Sequence, residues 1–281
     1  VNYQPFWKNA SGTWVPIYDP GYPGHTPSDP LQDWILTGAV AKVDSYGHTK
    51  EATDVLKNPS ANYHGYNHRM PVASVVNSPY AASAVDNFED YFFGGDLGDK
   101  DNAPYDDCAV RHFGIDGLLT AVTEEAAHTG NYSLRVWGAQ SETYTYEVWD
   151  GVEVTPPTAG QPFLMDQAHR LTPFRLVKNG NTTKYLITVW VRETNLGNHQ
   201  SSFDDLTLSV KVGGTTVPMD PPKRSGIIDG WQRLEYVLEI TGATPNGTPF
   251  ELSLNNAGPD KAYFDDLRIQ PYESELESSV M

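Results

Sequence analysis

Two strand-like segments carry aromatic and basic side chains at alternating positions, a spacing that suits sugar binding. Alternate side chains of an extended chain point to one face, so Trp190 and Arg192 share the face opposite the apolar residues of their segment. In the other segment Tyr144 and Tyr146 share one face, and Trp149 lies on the opposite one. Aromatic rings stack on the C–H faces of pyranose rings, while neighbouring polar groups bind hydroxyls. We therefore predict a glycan-binding cleft formed by Tyr144, Tyr146, Trp149, Trp190 and Arg192. The alternative is that these aromatic rings are buried under loops or against the N-terminal segment.

Common catalytic motifs are absent from the sequence. It contains no G-x-S-x-G, no H-E-x-x-H, no glycine-rich phosphate loop and no Glu-x-Asp-x-x-Glu cluster of the kind found in jelly-roll glucanases. A glycosidase needs two carboxylates about 5–10 Å apart, and the 36 acidic residues leave such a pair open. The lone cysteine, Cys108, follows two aspartates, whose charge raises a thiol pKa. We therefore expect neither a catalytic thiol nor an intrachain disulfide.

Composition restricts the class of protein and of partner. The 281 residues include 24 Gly and 21 Pro, a density typical of a fold with many turns and unlike that of a helical bundle. The formal net charge is −17, which disfavours binding to nucleic acid or to anionic membrane surfaces. No stretch approaches the roughly 18 apolar residues of a membrane span. Aromatic residues reach 12%, so intrinsic disorder is not expected for most of the chain.

The elements that position these residues are predicted to be β-strands. Apolar and polar residues alternate with a period of two in a series of runs separated by Gly, Asn, Asp and Pro turns. These runs are 132–137, 185–192, 206–212, 234–240, 250–254 and 263–269. The pattern predicts an all-β fold, an antiparallel β-sandwich (jelly roll) over residues 84–272, preceded by an irregular, β-rich segment over residues 1–83. Within that segment, 33–43 and 71–76 favour strands and 50–57 favours a turn or two of helix.

Short motifs in a fixed order resemble those of the calcium-containing jelly-roll carbohydrate-binding modules, which have a galactose-binding-like sandwich. The first motif is Asn87-Phe88-Glu89, the second is HTGNYSLRV at 128–136, and the third is AYFDDL at 262–267. The strand at 185–192 and the segment GWQRL at 230–234 lie between them. The resemblance covers roughly residues 85–271. Each motif alone is weak, and together they are more specific for the fold than for the ligand.

This resemblance implies a structural Ca²⁺ that ties the first strand to the 128–133 turn and to the last strand. Carried over, Glu89 and one of Asp265 and Asp266 would supply carboxylates, and backbone carbonyls near Asn87 and Asn131 would supply neutral oxygens. Such hard oxygen ligands suit Ca²⁺. The alternative is that the two aspartates are solvated or bound to turns. With Phe264 in the core, Asp265 and Leu267 cannot both follow an ideal strand, so we expect a local bulge or a bound metal there.

The chain ends carry a looser resemblance. Residues 63–73, YHGYNHRMPVA, are similar to stretches that precede such sandwiches in large bacterial secreted proteins with YD-type repeats. Residues 273–281 are similar to the point where those proteins continue, so we expect a tail or linker there. The chain begins with Val1 and is interpreted as a piece of a longer polypeptide. The resemblance implies an extracellular, bacterial cell-surface location.

Three functions are therefore expected in decreasing order. The first is a noncatalytic, secreted carbohydrate-binding module with a structural calcium, which binds a polysaccharide through an aromatic cleft. The second is a structural or adhesive spacer domain of a large bacterial surface protein, without a sugar site. The third is a small polysaccharide hydrolase or lyase. The expected partner is a glycan, with neither nucleic acid binding nor membrane insertion.

Overall fold

The computed structural model describes residues 6–8, 14–16, 38–44, 46–66, 69–91, 121–150, 174–178, 181–194 and 201–278; Cys108 lies outside these ranges, as does the side chain of Trp149. Within them the chain forms β-strands and short 3-10 turns at Tyr80–Ala82 and Glu89–Tyr91, with no α-helix in the described part. The strands are β1 (Phe6–Lys8), β2 (Trp14–Pro16), β3 (Gly38–Val43), β4 (Thr49–Asp54), β5 (Pro59–Gly65), β6 (Met70–Val76), β7 (Ala84–Asp86), β8 (Val122–Thr123), β9 (Ser133–Val136), β10 (Gln140–Asp150), β11 (Arg175–Lys178), β12 (Thr182–Glu193), β13 (Leu206–Val212), β14 (Thr215–Thr216), β15 (Lys223–Arg224), β16 (Gln232–Thr241), β17 (Thr248–Asn256), β18 (Ala262–Pro271) and β19 (Glu275–Ser278).

Two sheets pack face to face and form the sandwich. One is five-stranded with the order β11-β10-β17-β13-β14, and the other is seven-stranded with the order β15-β16-β12-β18-β9-β8, with β7 also paired to β18. Apolar side chains from both sheets meet in one core, which includes Leu134, Tyr144, Ile187, Leu208, Leu252 and Phe264. The prediction of an all-β sandwich is confirmed.

The longest strand of the seven-stranded sheet follows the predicted alternation. In β12 the side chains of Tyr185, Ile187, Val189 and Val191 are fully buried. Trp190 and Arg192 are half-buried and lie on the outer face of the sheet, the face turned away from the core. Burying an alternating apolar set against a second sheet stabilises a strand that would be marginal alone. The same pattern recurs in β16 and β17.

One strand pair departs from the antiparallel prediction. β11 runs parallel to β10, with Glu147 opposite Arg175 and Val148 opposite Leu176. A parallel pair needs a long connection rather than a hairpin, and residues 151–174 separate the two strands along the chain. The alternation of a single strand does not indicate the direction of its neighbour, so this pairing was not readable from the sequence.

The N-terminal region contains a regular sheet of its own, in which β3, β4, β5 and β6 are neighbours in chain order. The helical expectation for 50–57 is wrong, because Thr49–Asp54 forms β4. Cross-strand contacts override the local helix preference there. Lys42 Nζ donates to Glu51 Oε2 over 2.9 Å, and Lys50 Nζ lies 3.5 Å from Asp44 Oδ2. Tertiary pairing commonly outweighs helix propensity in a short segment.

The sandwich is inserted between two neighbouring strands of this N-terminal sheet. β19, from the segment assigned to a tail or linker, pairs with β6 in antiparallel fashion, with Glu275 opposite Val76 and Ser278 opposite Ala73. The chain therefore leaves the sheet after β6, builds the sandwich and returns to add the next strand. No helix among the described residues has the length and apolar composition needed to span a membrane.

Candidate functional site

The seven-stranded sheet is interrupted at Asp265 and Asp266 in β18. β18 pairs with β9 up to Phe264 and with β7 from Leu267 onward. Its register with β12 shifts across this point, and Asp266 has a left-handed φ of 48°. One extra residue in β18 therefore forms a bulge, as expected from the sequence. The bulge directs consecutive carboxylates to the gap between β7 and β9.

Asp265 accepts hydrogen bonds from the backbone of the turn that precedes β9. Its Oδ2 accepts from the N–H of His128 at 2.7 Å and of Thr129 at 3.1 Å. Its Oδ1 accepts from the N–H of Asp266 at 2.7 Å. Burial, and then the charge of Asp266, raise the pKa of Asp265 well above its usual range, against these hydrogen bonds.

Asp266 contacts the same turn through side chains. His128 Nδ1 lies 2.7 Å from Asp266 Oδ2, and Thr129 Oγ1 donates to Asp266 Oδ1 over 3.0 Å. An Arg268 guanidinium nitrogen lies 3.8 Å from Asp266 Oδ1. Both oxygens of Asp266 are therefore engaged by the protein's own groups, although the residue is almost fully buried.

Glu89 reaches the turn from the opposite side. Its Oε1 accepts from the N–H groups of Asn131 and Tyr132, each at 2.7 Å. Gly130, with a φ of +64°, lies directly under this carboxylate, where any Cβ would collide with it. Burial raises the pKa of Glu89, the two backbone hydrogen bonds oppose the rise, and the charges of Asp90 and Asp266 add to it.

Three carboxylates thus hold one turn, and we call this group the loop clamp: Glu89, Asp265, Asp266 and residues 128–132. It joins the segment after β7, the turn before β9 and the bulge of β18. Of the predicted metal ligands, Asn87 accepts from the Glu89 N–H at 3.4 Å through Oδ1. Asn131 contributes its N–H to the clamp. The predicted metal ligands therefore lie close together, and hydrogen bonds between the carboxylates and the 128–132 turn connect them.

The donor chemistry of the loop clamp fits Ca²⁺ only in part. Burial and the nearby charge of Asp266 raise the pKa of Glu89 and of Asp265. Such carboxylates are hard oxygen ligands, and a cation would offset their charge. Most of their oxygens, however, point at N–H and O–H donors of the turn. Within the described ranges, no group of three or more His, Cys, Asp or Glu side chains is arranged to hold a metal ion. Glu89 and Asp265 are the residues that would hold Ca²⁺.

An aromatic cluster lies beside the loop clamp on the outer face. The His128 ring stacks on Trp190 with the centroids 4.0 Å apart and the planes 15° apart. The His128 ring also meets Trp231 edge-on at 5.7 Å. Trp190, one of the predicted sugar ligands, is therefore partly covered by an imidazole. Arg192 lies two residues further along the same face and is half-buried.

The predicted tyrosines lie on the other sheet and point inward. Tyr144 is only 1% exposed and belongs to the sandwich core. Tyr146 is half-buried and meets the Phe174 ring edge-on at 5.6 Å. The Trp149 backbone pairs with Val177, while its side chain lies outside the described residues. Tyr144 and Tyr146 therefore do not share a surface with Trp190 and Arg192.

The outer face of the five-stranded sheet is polar and internally hydrogen-bonded. Thr143 Oγ1 and Ser253 Oγ lie 2.8 Å apart across β10 and β17, and Ser141 Oγ donates to Asn255 Oδ1 over 2.7 Å. Asn255 Nδ2 in turn donates to Ser209 Oγ on β13 over 3.0 Å. The small polar side chains of this face hydrogen-bond to one another. Among the described residues of this face, no aromatic ring is exposed on which a sugar could stack.

A surface aromatic residue that sequence reasoning missed lies just beyond β9. Trp137 is 48% exposed. The Arg135 guanidinium lies 5.0 Å and the Lys261 ammonium 5.3 Å from its ring centroid. Glu125 accepts from Arg135 at 2.6 Å, from Lys261 at 2.8 Å and from the Tyr263 hydroxyl at 2.7 Å. The sequence signal for Trp137 was its spacing, because Trp137 lies two residues after the outward-facing Arg135 and therefore shares its face.

These residues form ordered rows on the outer face. Arg192 is opposite Tyr263 in the pairing of β12 with β18, and Tyr263 is opposite Arg135 in the pairing of β18 with β9. Lys261 and Trp137 lie next to this row, beyond the paired residues. The outer face thus combines guanidinium and ammonium groups with indole rings, in a chain whose formal net charge is −17.

No protein-family model matches the chain, and a sequence comparison with curated proteins finds no match. Among solved structures, the chain is similar to the CBM22-1 xylan-binding domain of Xyn10C from Paenibacillus barcinonensis. The match has a TM-score of 0.26 and 14% sequence identity, and it covers 53% of this chain and 78% of that domain. A match at this TM-score carries no conclusion about the site residues of this chain.

Proposed function

We propose that this chain is a noncatalytic carbohydrate-binding β-sandwich that binds polysaccharide on the outer face of the seven-stranded sheet. The observation that carries the proposal is that Arg192 and Arg135 flank the buried Tyr263 on this face, with Trp190 and Trp137 beside them. Indole rings stack on sugar rings, and guanidinium groups donate hydrogen bonds in a fixed fork to ring and hydroxyl oxygens. A sheet surface gives these groups fixed spacing at low conformational cost.

A binding role is favoured over catalysis because the buried acid pair is already engaged. Both oxygens of Asp265 and both of Asp266 accept from, or contact, donors of the loop clamp. A general acid must reach the leaving group and a nucleophile must reach the anomeric carbon. Carboxylates directed at the protein's own turn do neither. The acid pair is therefore assigned a positional role.

A glycan array with plant, algal and fungal polysaccharides tests this proposal. We expect binding by the parent protein and at least about a tenfold loss for Trp190→Ala and for Arg192→Gln. Tyr272→Ala removes a 50% exposed aromatic side chain outside the rows and serves as the matched control, with binding unchanged. If the Trp190→Ala variant binds as tightly as the parent while it remains folded, Trp190 is not part of the site.

The loop clamp is further proposed to bind Ca²⁺ through Glu89 and Asp265. The ion would neutralise charge that is buried there and fix the 128–132 turn to β7 and β18. Thermal unfolding with and without chelator, together with elemental analysis, tests this. We expect a lower midpoint after chelation, and we expect Glu89→Gln but not Glu239→Gln to abolish the difference. An unchanged midpoint with no bound metal contradicts calcium binding and leaves the sugar proposal intact.

A structural or adhesive spacer is the second candidate, favoured by the insertion of the sandwich between β6 and β19. In that role the sandwich would be a module carried by a longer, secreted bacterial surface protein, and its outer face would bind no sugar. Absence of binding to every polysaccharide on the array, by a protein whose fold is intact, would favour the spacer.

A further inference from the structure

Two positively charged side chains and one negatively charged side chain surround Trp137. Two cations, Arg135 and Lys261, approach the indole ring, and Glu125 lies between them. These three groups alone, two positive and one negative, sum to 2 − 1 = +1, in a chain of net charge −17. Arg192, on the adjoining row, adds a further positive charge.

Glu125 shows what kind of group the two cations accept. Its carboxylate takes hydrogen bonds from Arg135, Lys261 and the Tyr263 hydroxyl. These donors therefore converge on a carboxylate in the folded protein. An ammonium has three N–H donors, and Glu125 is the one hydrogen-bond partner of Lys261 Nζ within the described residues. The side chain of Lys261 is 34% exposed, so its remaining donors can reach a ligand.

Trp137 provides the apolar half of such a site. Nearly half of the residue is accessible, and the Arg135 and Lys261 cations lie near its ring. A sugar ring stacked on the exposed part of the indole would bring a substituent on its edge toward Arg135 and Lys261. A carboxylate substituent is the group that these cations already bind from within the protein.

We propose that Trp137, Arg135 and Lys261 form a binding subsite for a carboxylated glycan, that is, a polysaccharide containing uronic acid residues. This inference rests on the proposed function and adds a ligand class and residues that the sequence did not indicate. The Trp137 ring stacks on the uronate ring, while Arg135 and Lys261 bind its carboxylate. The net negative charge of the protein repels polyanions in general, so binding depends on this local site.

The direct test compares each uronate polymer with a matched neutral or sulfated polymer. The probes are polygalacturonate, alginate and glucuronoxylan, the methyl esters of these polymers, and a carrageenan, measured by isothermal titration calorimetry. We expect at least one uronate to bind about tenfold or more tightly than its own methyl ester. Trp137→Ala should lose this binding, whereas Trp137→Tyr should keep part of it.

Single-charge variants separate the site from the overall charge. Lys261→Gln and Lys211→Gln each remove one positive charge, but Lys211 lies on β13 in the other sheet, with Glu251 3.8 Å away. We expect Lys261→Gln to weaken uronate binding by about tenfold and binding of the methyl ester by clearly less, while Lys211→Gln changes neither.

The outcomes distinguish this inference from the proposed function. If neutral glycans or carrageenan bind as well as the uronates do, or if Trp137→Ala binds as the parent does, the subsite is contradicted and the sugar proposal survives. If uronates bind through Trp137 while Trp190→Ala has no effect, the subsite is supported and Trp190 is not part of the sugar-binding site. If no polysaccharide binds the folded protein, both are rejected.

Discussion

Glu125 fixes the side chains around Trp137, and its ionisation is open to direct measurement. Hydrogen bonds from Lys261 and Tyr263 and the nearby charge of Arg135 lower its pKa to about 2. A carboxyl group with a depressed folded-state pKa stabilises the fold above its unfolded-state pKa. That contribution is lost as the pH falls from the unfolded-state value, about 4.3, toward 2. Because the group is exposed, the effect is small and is screened by salt.

We predict that the Glu125 carboxyl titrates near pH 2 by NMR. In the Lys261→Gln variant its midpoint should move toward the ordinary glutamate value. Glu142, whose pKa burial raises, provides a contrasting signal in the same spectra. A Glu125 midpoint at or above 4 in the parent protein would falsify the assigned contacts.

Tyr144 supports the core, so its removal should affect stability. We predict that Tyr144→Ala lowers the free energy of unfolding by about 3–5 kcal/mol, because a buried aromatic side chain leaves a cavity. Thr143→Ala, one residue away on the exposed face, should change it by no more than about 0.5–1 kcal/mol. Urea unfolding followed by circular dichroism measures both. Equal effects of the two substitutions would contradict the assigned faces of β10.

The difference between β12 and β10 shows how far sequence reasoning reaches at the residue scale. In β12 the alternate residues from Tyr185 to Val191 are all aromatic or aliphatic, so the core face is readable from that strand alone. In β10 both sets contain polar residues, and only the packing of β10 against the other sheet decides that Tyr144 is inside. Trp137 was missed for a related reason. Its partner Lys261 is brought beside it by the pairing of β9 with β18, which no local pattern specifies.

At the element scale, the turn before β9 is constrained by its glycine. We predict that Gly130→Ala destabilises the protein more than Gly214→Ala does, by at least about 1 kcal/mol. Both glycines have positive φ, which costs an alanine about 1–2 kcal/mol. Gly214 faces open space, whereas a Cβ on Gly130 collides with the Glu89 carboxylate. Thermal or urea unfolding measures the loss of stability in each variant. Equal losses would mean that the Glu89 carboxylate does not exclude a side chain at position 130.

The return of β19 to the N-terminal sheet makes that sheet dependent on the end of the chain. We predict that deletion of residues 275–281 increases amide hydrogen exchange in β6 by about tenfold or more. Only the β6 amides directed toward β19 should respond, because those bonded to β5 keep their partners. Amides of β12 in the sandwich provide the internal control. Unchanged exchange throughout β6 would show that β19 is dispensable.

The loop clamp was more predictable from the sequence than the insertion of the sandwich between β6 and β19. Short motifs specified which segments meet at the clamp, because Glu89, the 128–132 turn and the Asp265–Asp266 pair each occur in a recognisable sequence context. The meeting of β6 and β19 joins segments on either side of the whole sandwich. The pairing of two strands so far apart in sequence depends on the fold of the whole sandwich between them. In addition, the polar sequence of 275–278 is as typical of a linker as of an edge strand.

At the scale of the whole molecule, net charge opposes compactness. A charge of −17 distributed over a folded chain repels itself, and salt screens this repulsion because the Debye length falls from about 30 Å at 0.01 M to about 10 Å at 0.1 M. We predict that the midpoint of thermal unfolding rises with NaCl over this range in the presence of chelator. Attractive ion pairs are weakened by the same screening, but they are outnumbered in a chain with 36 acidic and 19 basic residues.

The salt response also separates general screening from binding at the loop clamp. At matched ionic strength, Mg²⁺ and Ca²⁺ screen the surface alike, so a larger stabilisation by Ca²⁺ requires a site that prefers the larger ion. We expect that excess in the parent protein and its disappearance in Glu89→Gln, while the NaCl response of the two proteins stays parallel. A midpoint that falls with NaCl would mean that local attractions outweigh the net repulsion, and equal effects of the two divalent ions would attribute their stabilisation to screening alone.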